Sequence, residues 1–80
     1  MERELVAGSM WQHFKGEHVA TIIAVAKHTE TNEMLVVYDC YNKTDRTNII
    51  VARPMDMFLS EVDHEKYPDA KQKYRFERVS

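Results

Sequence analysis

An 80-residue chain builds one hydrophobic core and no more, so residues 1–80 are expected to form a single domain. Eleven Lys plus Arg against thirteen Asp plus Glu leave a formal net charge of −2, which excludes a protein that holds nucleic acid by bulk positive charge. A hydrophobic fraction of 44% with two Gly and two Pro is that of a folded protein. No apolar run reaches the roughly 20 residues of a membrane span, and Cys40 has no partner for an internal disulfide, so a reduced, cytoplasmic setting is expected.

Met1 to Ala7 is expected to be a short frayed helix or an arm, leaving residues 8–80 for the body of the domain. After an opening strand around Trp11, His18 to Lys27 is a run rich in Val and Ile. Simple alternation puts Val19, Thr21, Ile23 and Val25 on one face and Ala20, Ile22, Ala24 and Ala26 on the other. Both faces are largely apolar, which places this strand at the centre of a sheet. The polar stretch His28 to Asn32 then serves as a hairpin loop into Met34 to Cys40, where Leu35 and Val37 alternate with Val36 and Tyr38. A second polar loop, Asn42 to Arg46, leads into a β-branched strand over Asn48 to Ala52.

Pro54 has no N–H for a ladder, and its locked φ suits the first turn of a helix. A helix is therefore predicted over Pro54 to Val62, with Met55, Phe58, Leu59 and Val62 in one apolar stripe. His64 to Gln72 contains Pro68 and reads as a loop, and Tyr74 to Val79 as a closing strand with Tyr74 and Phe76 on one face. Five short strands and one short helix after Pro54 predict a mainly β fold: a small, SH3-like, partly open antiparallel barrel, with an OB-like barrel as the rival.

Several short motifs follow one another in a familiar order. Trp11-Gln12-His13-Phe14-Lys15-Gly16 resembles an opening His-Phe-Lys-Gly box, and Ala26-Lys27-His28-Thr29-Glu30-Thr31 followed by Glu33 resembles a hairpin motif. Val36-Val37-Tyr38 is similar to the strand after it, Arg53-Pro54 with Met57-Phe58 to an Arg-Pro-x-x-Met-Phe box, and Arg75-Phe76 to a closing pair. From about Gly8 to Val79 the chain thus resembles the uncharacterised bacterial family catalogued as domain of unknown function 1653. The resemblance implies a compact SH3-like barrel and no established activity. Two departures stand out: Trp11 where a Tyr is expected, and an Asn42–Asn48 loop longer than the usual Tyr-Gly turn.

His13, His18, His28 and His64 are spread along the chain and Cys40 has no Cys-x-x-Cys partner, so no metal site is expected. Cys40 reads as a small buried hydrophobe. There is no Gly-x-Ser-x-Gly elbow, and Gly8 and Gly16 make no phosphate-cradling loop, so neither a catalytic set nor a cofactor is expected.

Polar residues near predicted strand ends are more informative. His13 and Lys15 leave the first strand, His28, Glu30 and Glu33 belong to the hairpin, and Tyr38 and Arg53 lie on later strands. Brought together, an Arg or Lys opposite carboxylates grips a charged ligand. The bland reading of the same residues is an ion-pair network tying loops together, with Arg53 and Glu33 as its first candidates. Among the aromatics, Phe14 and Phe58 are expected in the core, whereas Trp11 and Tyr38 each carry a polar atom that can stay wet and are the expected surface contacts.

Charge is also uneven, with six basic and eleven acidic side chains over residues 1–65 against five and two over residues 66–80. The acidic part favours a basic partner segment. In the basic part, Lys66, Lys71, Lys73, Arg75 and Arg78 lie beside Tyr67 and Tyr74, a pattern that can hold a nucleic-acid strand by stacking and phosphate contacts. Asp69 and Glu77 dilute it, and a solvated charged face is the simpler reading.

The sequence therefore predicts a non-catalytic binding module for an unidentified peptide or small molecule, with neither nucleic acid nor membrane expected as partner. Its ligand-binding residues are expected to be Trp11, His13, Lys15, His28, Glu30, Glu33, Tyr38 and Arg53. One alternative is a small-substrate enzyme using His13 or His28 as general base beside Glu30 or Glu33. Another is a weak single-strand binder working through the C-terminal basic patch.

Overall fold

Among the described residues, five strands and one helical turn follow in chain order: β1 (Met10–His13), β2 (His18–Lys27), β3 (Met34–Asn42), β4 (Thr47–Pro54), α1 (Met55–Phe58) and β5 (Phe76–Arg78). The computed structural model describes residues 3–80. The strands form one sheet in the order β4-β3-β2-β1-β5, with every neighbouring pair antiparallel. The first four make a meander, and β5 returns to pair with the free side of β1. The sheet does not close on itself, so β4 and β5 are its edges. The mainly β reading, its five strands and its short helix after Pro54 all hold.

β2 occupies the residues predicted for it and the middle of the sheet. Its two faces, however, differ from simple alternation. Ile22 pairs with Tyr38 and Ala24 with Val37, so Ile23 is an extra residue with no partner of its own on β3. A bulge of this kind reverses the alternation beyond it and bends the strand. Val25 pairs with Val36 and takes the core-facing side that alternation assigned to Ala24.

The helix is shorter than predicted, ending at Phe58 instead of Val62. The backbone after it is claimed by another partner. Arg75 N–H donates to Ser60 O at 2.9 Å, Val62 N–H donates to Lys73 O at 2.9 Å, and Glu61 bridges Tyr74. That pairing pulls residues 60–62 into an extended path and also shortens the last strand to Phe76–Arg78.

Trp11, Ala20, Ile22, Val36, Tyr38, Phe58 and Phe76 form the core. Four aromatic rings fill it: Trp11 and Tyr38 both meet Phe58 edge-on, at 5.7 and 5.3 Å, and Tyr38 meets Phe76 at 5.8 Å. The expectation that Trp11 and Tyr38 lie on the surface is corrected here, for they are 1% and 2% exposed. Each satisfies its polar atom internally, which is what permits the burial. Trp11 Nε1 donates to Ser9 Oγ at 2.9 Å, and Tyr38 Oη accepts from Arg53 Nε at 3.2 Å.

Residues 3–7 are an arm without helix, while positions 1 and 2 of the predicted arm lie outside the described residues. Leu5 packs against the core. Arg3 donates from Nη1 to Leu59 O at 2.8 Å and from Nη2 to Phe76 O, with its guanidinium 3.8 Å from the Tyr74 ring centroid. One cation thereby ties the end of α1 to β5.

Candidate functional site

β1 ends at His13 because the chain must turn into β2. Gly16 provides the turn, with φ of 82° in the left-handed region and its N–H donating to His13 O at 2.9 Å. The turn projects Phe14 and Lys15 from the end of the sheet. Across from them, the backbone after Val62 makes a tight loop in which Asp63 Oδ1 accepts from the N–H groups of Glu65 and Lys66, at 3.1 and 3.3 Å, and Asp63 O accepts from Tyr67 N–H at 2.9 Å. Arg75, just before β5, is anchored through Nε to Ser60 Oγ at 3.2 Å. His13, Lys15, Lys66, Tyr67 and Arg75 line a cleft of about 290 Å³ between these segments. A second hollow of about 320 Å³ adjoins it, sharing Phe14, Lys15, Lys66 and Tyr67 and adding Pro68, Asp69 and Ala70.

Positive charge dominates here. Burial, joined by the charges of Arg53, His18, Arg75 and Lys15, lowers the His13 pKa to about 4, so the ring is neutral at pH 7. Its Nδ1 accepts from Lys15 N–H at 3.3 Å. A hydrogen bond from Lys15, then the charges of Lys15 and Lys66, lowers the Tyr67 pKa below its ordinary value. Lys15 Nζ stands 5.0 Å and Lys66 Nζ 5.5 Å from the Tyr67 ring centroid, and Phe14 meets that ring edge-on at 5.0 Å.

The eight residues expected to bind ligand separate into three places. His13 and Lys15 line the cleft. Arg53 reaches toward them, its guanidinium 5.7 Å from the Phe76 centroid while the His13 ring packs 5.0 Å from the same ring. It spends its Nε on Tyr38, in the core beside Trp11, and Glu33 lies elsewhere, in a shallow depression with Met34, Met55, Asp56 and Leu59. His28, Glu30 and Glu33 sit on the β2–β3 hairpin, at the opposite end of β2 from His13, and ten extended residues span roughly 30 Å. His28 holds the turn itself, its Nδ1 accepting from the N–H groups of Glu30 and Thr31 at 3.1 and 3.3 Å.

Sequence reasoning missed Phe14 as a cleft residue, assigning it to the core, because it could not show that the chain turns out of the sheet immediately after His13. It also missed Lys66, Tyr67 and Arg75 as partners of Lys15. Their signal was the basic and aromatic interleaving near the C terminus, which the fold divides: Lys66, Tyr67 and Arg75 face the cleft, while Tyr74 carries Arg3 and Lys73.

Cys40 packs against the core, and burial raises its thiol pKa despite the opposing pull of Arg53. Among the described residues, no three His, Cys, Asp or Glu side chains gather into a set that could hold a metal ion, and no helix is long and apolar enough to cross a membrane.

No curated protein and no solved structure matches the chain. The family described as protein of unknown function, DUF1653, matches residues 9–78, from the residue before β1 to the end of β5, and the chain belongs to that family.

Proposed function

We propose that this chain is a non-catalytic binding module of SH3-like architecture whose ligand occupies the cleft between the β1–β2 turn and the loop over residues 63–70. The observation that carries the reading is the convergence of Lys15, Lys66 and Arg75 on a concave site walled by Phe14 and Tyr67. Concave sites with aromatic walls and a few convergent polar groups are the usual form of small-ligand sites. The site is built from parts that are themselves held: the turn by Gly16, the loop by Asp63, and Arg75 by Ser60. Less supports an enzyme using His13 with Glu30 or Glu33, since β2 separates these groups, or one using His28, whose Nδ1 is occupied by its own turn. The single-strand reading loses support as well, because the basic residues it needs face different ways.

A titration of ¹⁵N-labelled protein against pools of metabolites and short peptides tests the reading. Saturable shifts are expected to centre on Phe14, Lys15, Lys66, Tyr67 and Arg75. Saturable shifts centred on the 28–33 hairpin, or none from any pool, would overturn it.

A further inference from the structure

We infer that the cleft takes a phosphate monoester carrying a flat apolar group, with the phosphate between Lys15, Lys66 and Arg75 and the flat group against Tyr67 and Pro68. The inference rests on the reading of this cleft as the ligand site and adds the class of ligand.

Charge count selects the head group. Three cations line the inner cleft against one carboxylate, Asp63. That carboxylate is already engaged, its Oδ1 receiving two backbone N–H groups of its own loop. His13 adds no charge near neutral pH and leaves the balance at two positive charges. A phosphate monoester carries close to two negative charges at pH 7, whereas a carboxylate carries one. Guanidinium and ammonium groups also suit the three oxygens of a phosphate, Arg by its fork and Lys as a point charge.

The adjoining hollow selects the rest of the ligand. Phe14, Tyr67, Pro68, Asp69 and Ala70 line it beside Lys15 and Lys66, so its one carboxylate stands in the hollow and not in the inner cleft, and it opens from the cationic cleft through the four residues both share. An anion in the inner cleft therefore carries its substituent across Tyr67. A ring gains from stacking there in a way that a hydrated sugar does not. Each hollow alone is at the small end of ligand sites, and the two joined suit a mononucleotide or a smaller aryl phosphate.

The test uses the full chain and four probes: phenyl phosphate, inorganic phosphate, benzoate and benzyl alcohol, each titrated into ¹⁵N-labelled protein in low salt. Phenyl phosphate is expected to saturate, with its largest shifts at Lys15, Lys66 and Tyr67, and to bind at least tenfold more tightly than each of the others. Adenosine monophosphate and glucose 6-phosphate then distinguish sources of the same chemistry, the nucleotide being expected to bind more tightly. Lys15 and Lys66 are exposed, so the double variant Lys15→Gln, Lys66→Gln is expected to keep its thermal midpoint and lose at least tenfold in affinity.

Equal affinity for benzoate and phenyl phosphate, or for inorganic phosphate and phenyl phosphate, would overturn the inference. So would shifts outside the cleft. Should phenyl phosphate fail while another compound moves the same cleft residues, the ligand class is wrong and the site stands. Should nothing move them, the proposed function falls as well.

Discussion

The ring of Phe58, from α1, lies parallel to that of Phe76, from β5, with centroids 4.2 Å apart and planes 5° from coplanar. These two residues join elements at opposite ends of the topology, since α1 follows one sheet edge and β5 is the other. An open sheet of five strands has no ladder between its edges. Here the stacked pair, with Trp11 and Tyr38 around it, makes the contact that a closed barrel would make by backbone pairing.

Removing either ring should therefore cost more than a local cavity. Phe76→Ala is expected to lose about 3–5 kcal/mol, a large part of the roughly 4–12 kcal/mol available to a chain of this size. The milder variants Phe58→Leu and Phe76→Leu should stay folded. In urea unfolding, their double-mutant cycle should show a coupling of roughly 0.5–1.5 kcal/mol, and simple additivity would disprove the link.

Arg3 closes the same gap from the arm, through Leu59 O and Phe76 O. Arg3→Ala is expected to destabilise by about 1.5–3 kcal/mol, the range for hydrogen bonds to a charged group. Arg3→Lys keeps the charge but cannot reach both carbonyls in one plane, and should recover less than half. As a neighbouring control, Glu4→Ala should change the urea midpoint little.

His13 gives the protein an acid limit. Its folded pKa is lowered to about 4 from an ordinary 6.5, so the neutral ring is the form the fold accepts. Above pH 6.5 the ring is neutral whether folded or unfolded, and stability is unaffected. Between pH 6.5 and about 4 the unfolded chain takes up the proton more readily, and folding weakens as pH falls. Because the ring is only half-buried, solvent screening reduces the loss to about 1–2 kcal/mol. His13→Gln should flatten stability between pH 7.5 and 4.5. Arg53→Gln should move the His13 midpoint upward by NMR titration, since Arg53 is the foremost of the charges holding it down.

The hairpin histidine should behave differently. His28→Ala leaves the N–H groups of Glu30 and Thr31 to solvent and is expected to cost about 0.5–1.5 kcal/mol, whereas His28→Asp restores an acceptor and should cost less. Neither change should alter phenyl phosphate affinity at the cleft. A tenfold loss of affinity in His28→Ala would place the hairpin back in the binding site.

Strand identity was legible in the sequence because it follows from local composition: β2 carries its own β-branched pattern and polar ends. The bulge at Ile23 was not, since an extra residue leaves no mark on composition and shows only against β3. The end of α1 was hidden for a related reason. Leu59 to Val62 continue a good helical stripe, and their competing partner lies more than ten residues further along, at Lys73 to Arg75. At the site, charge and aromatic types could be read from the sequence but not their distribution. Trp11 and Tyr38 looked amphipathic enough for the surface until Ser9 and Arg53 were seen to satisfy them. Lys15 and Tyr67, more than fifty positions apart, meet only because β5 returns to β1.

β4 is an unpaired margin of the sheet, and Ile49 and Ile50 project from its two sides with 65% and 64% of their surfaces uncovered. A foreign β-strand would find a ready template there, but one of fixed length. Arg46, at φ of 55°, turns the backbone out of line at one end, and Pro54 offers no N–H at the other. Edge-to-edge growth is thereby confined to the seven positions from Thr47 to Arg53, and a ladder begun there stops at the turns on either side.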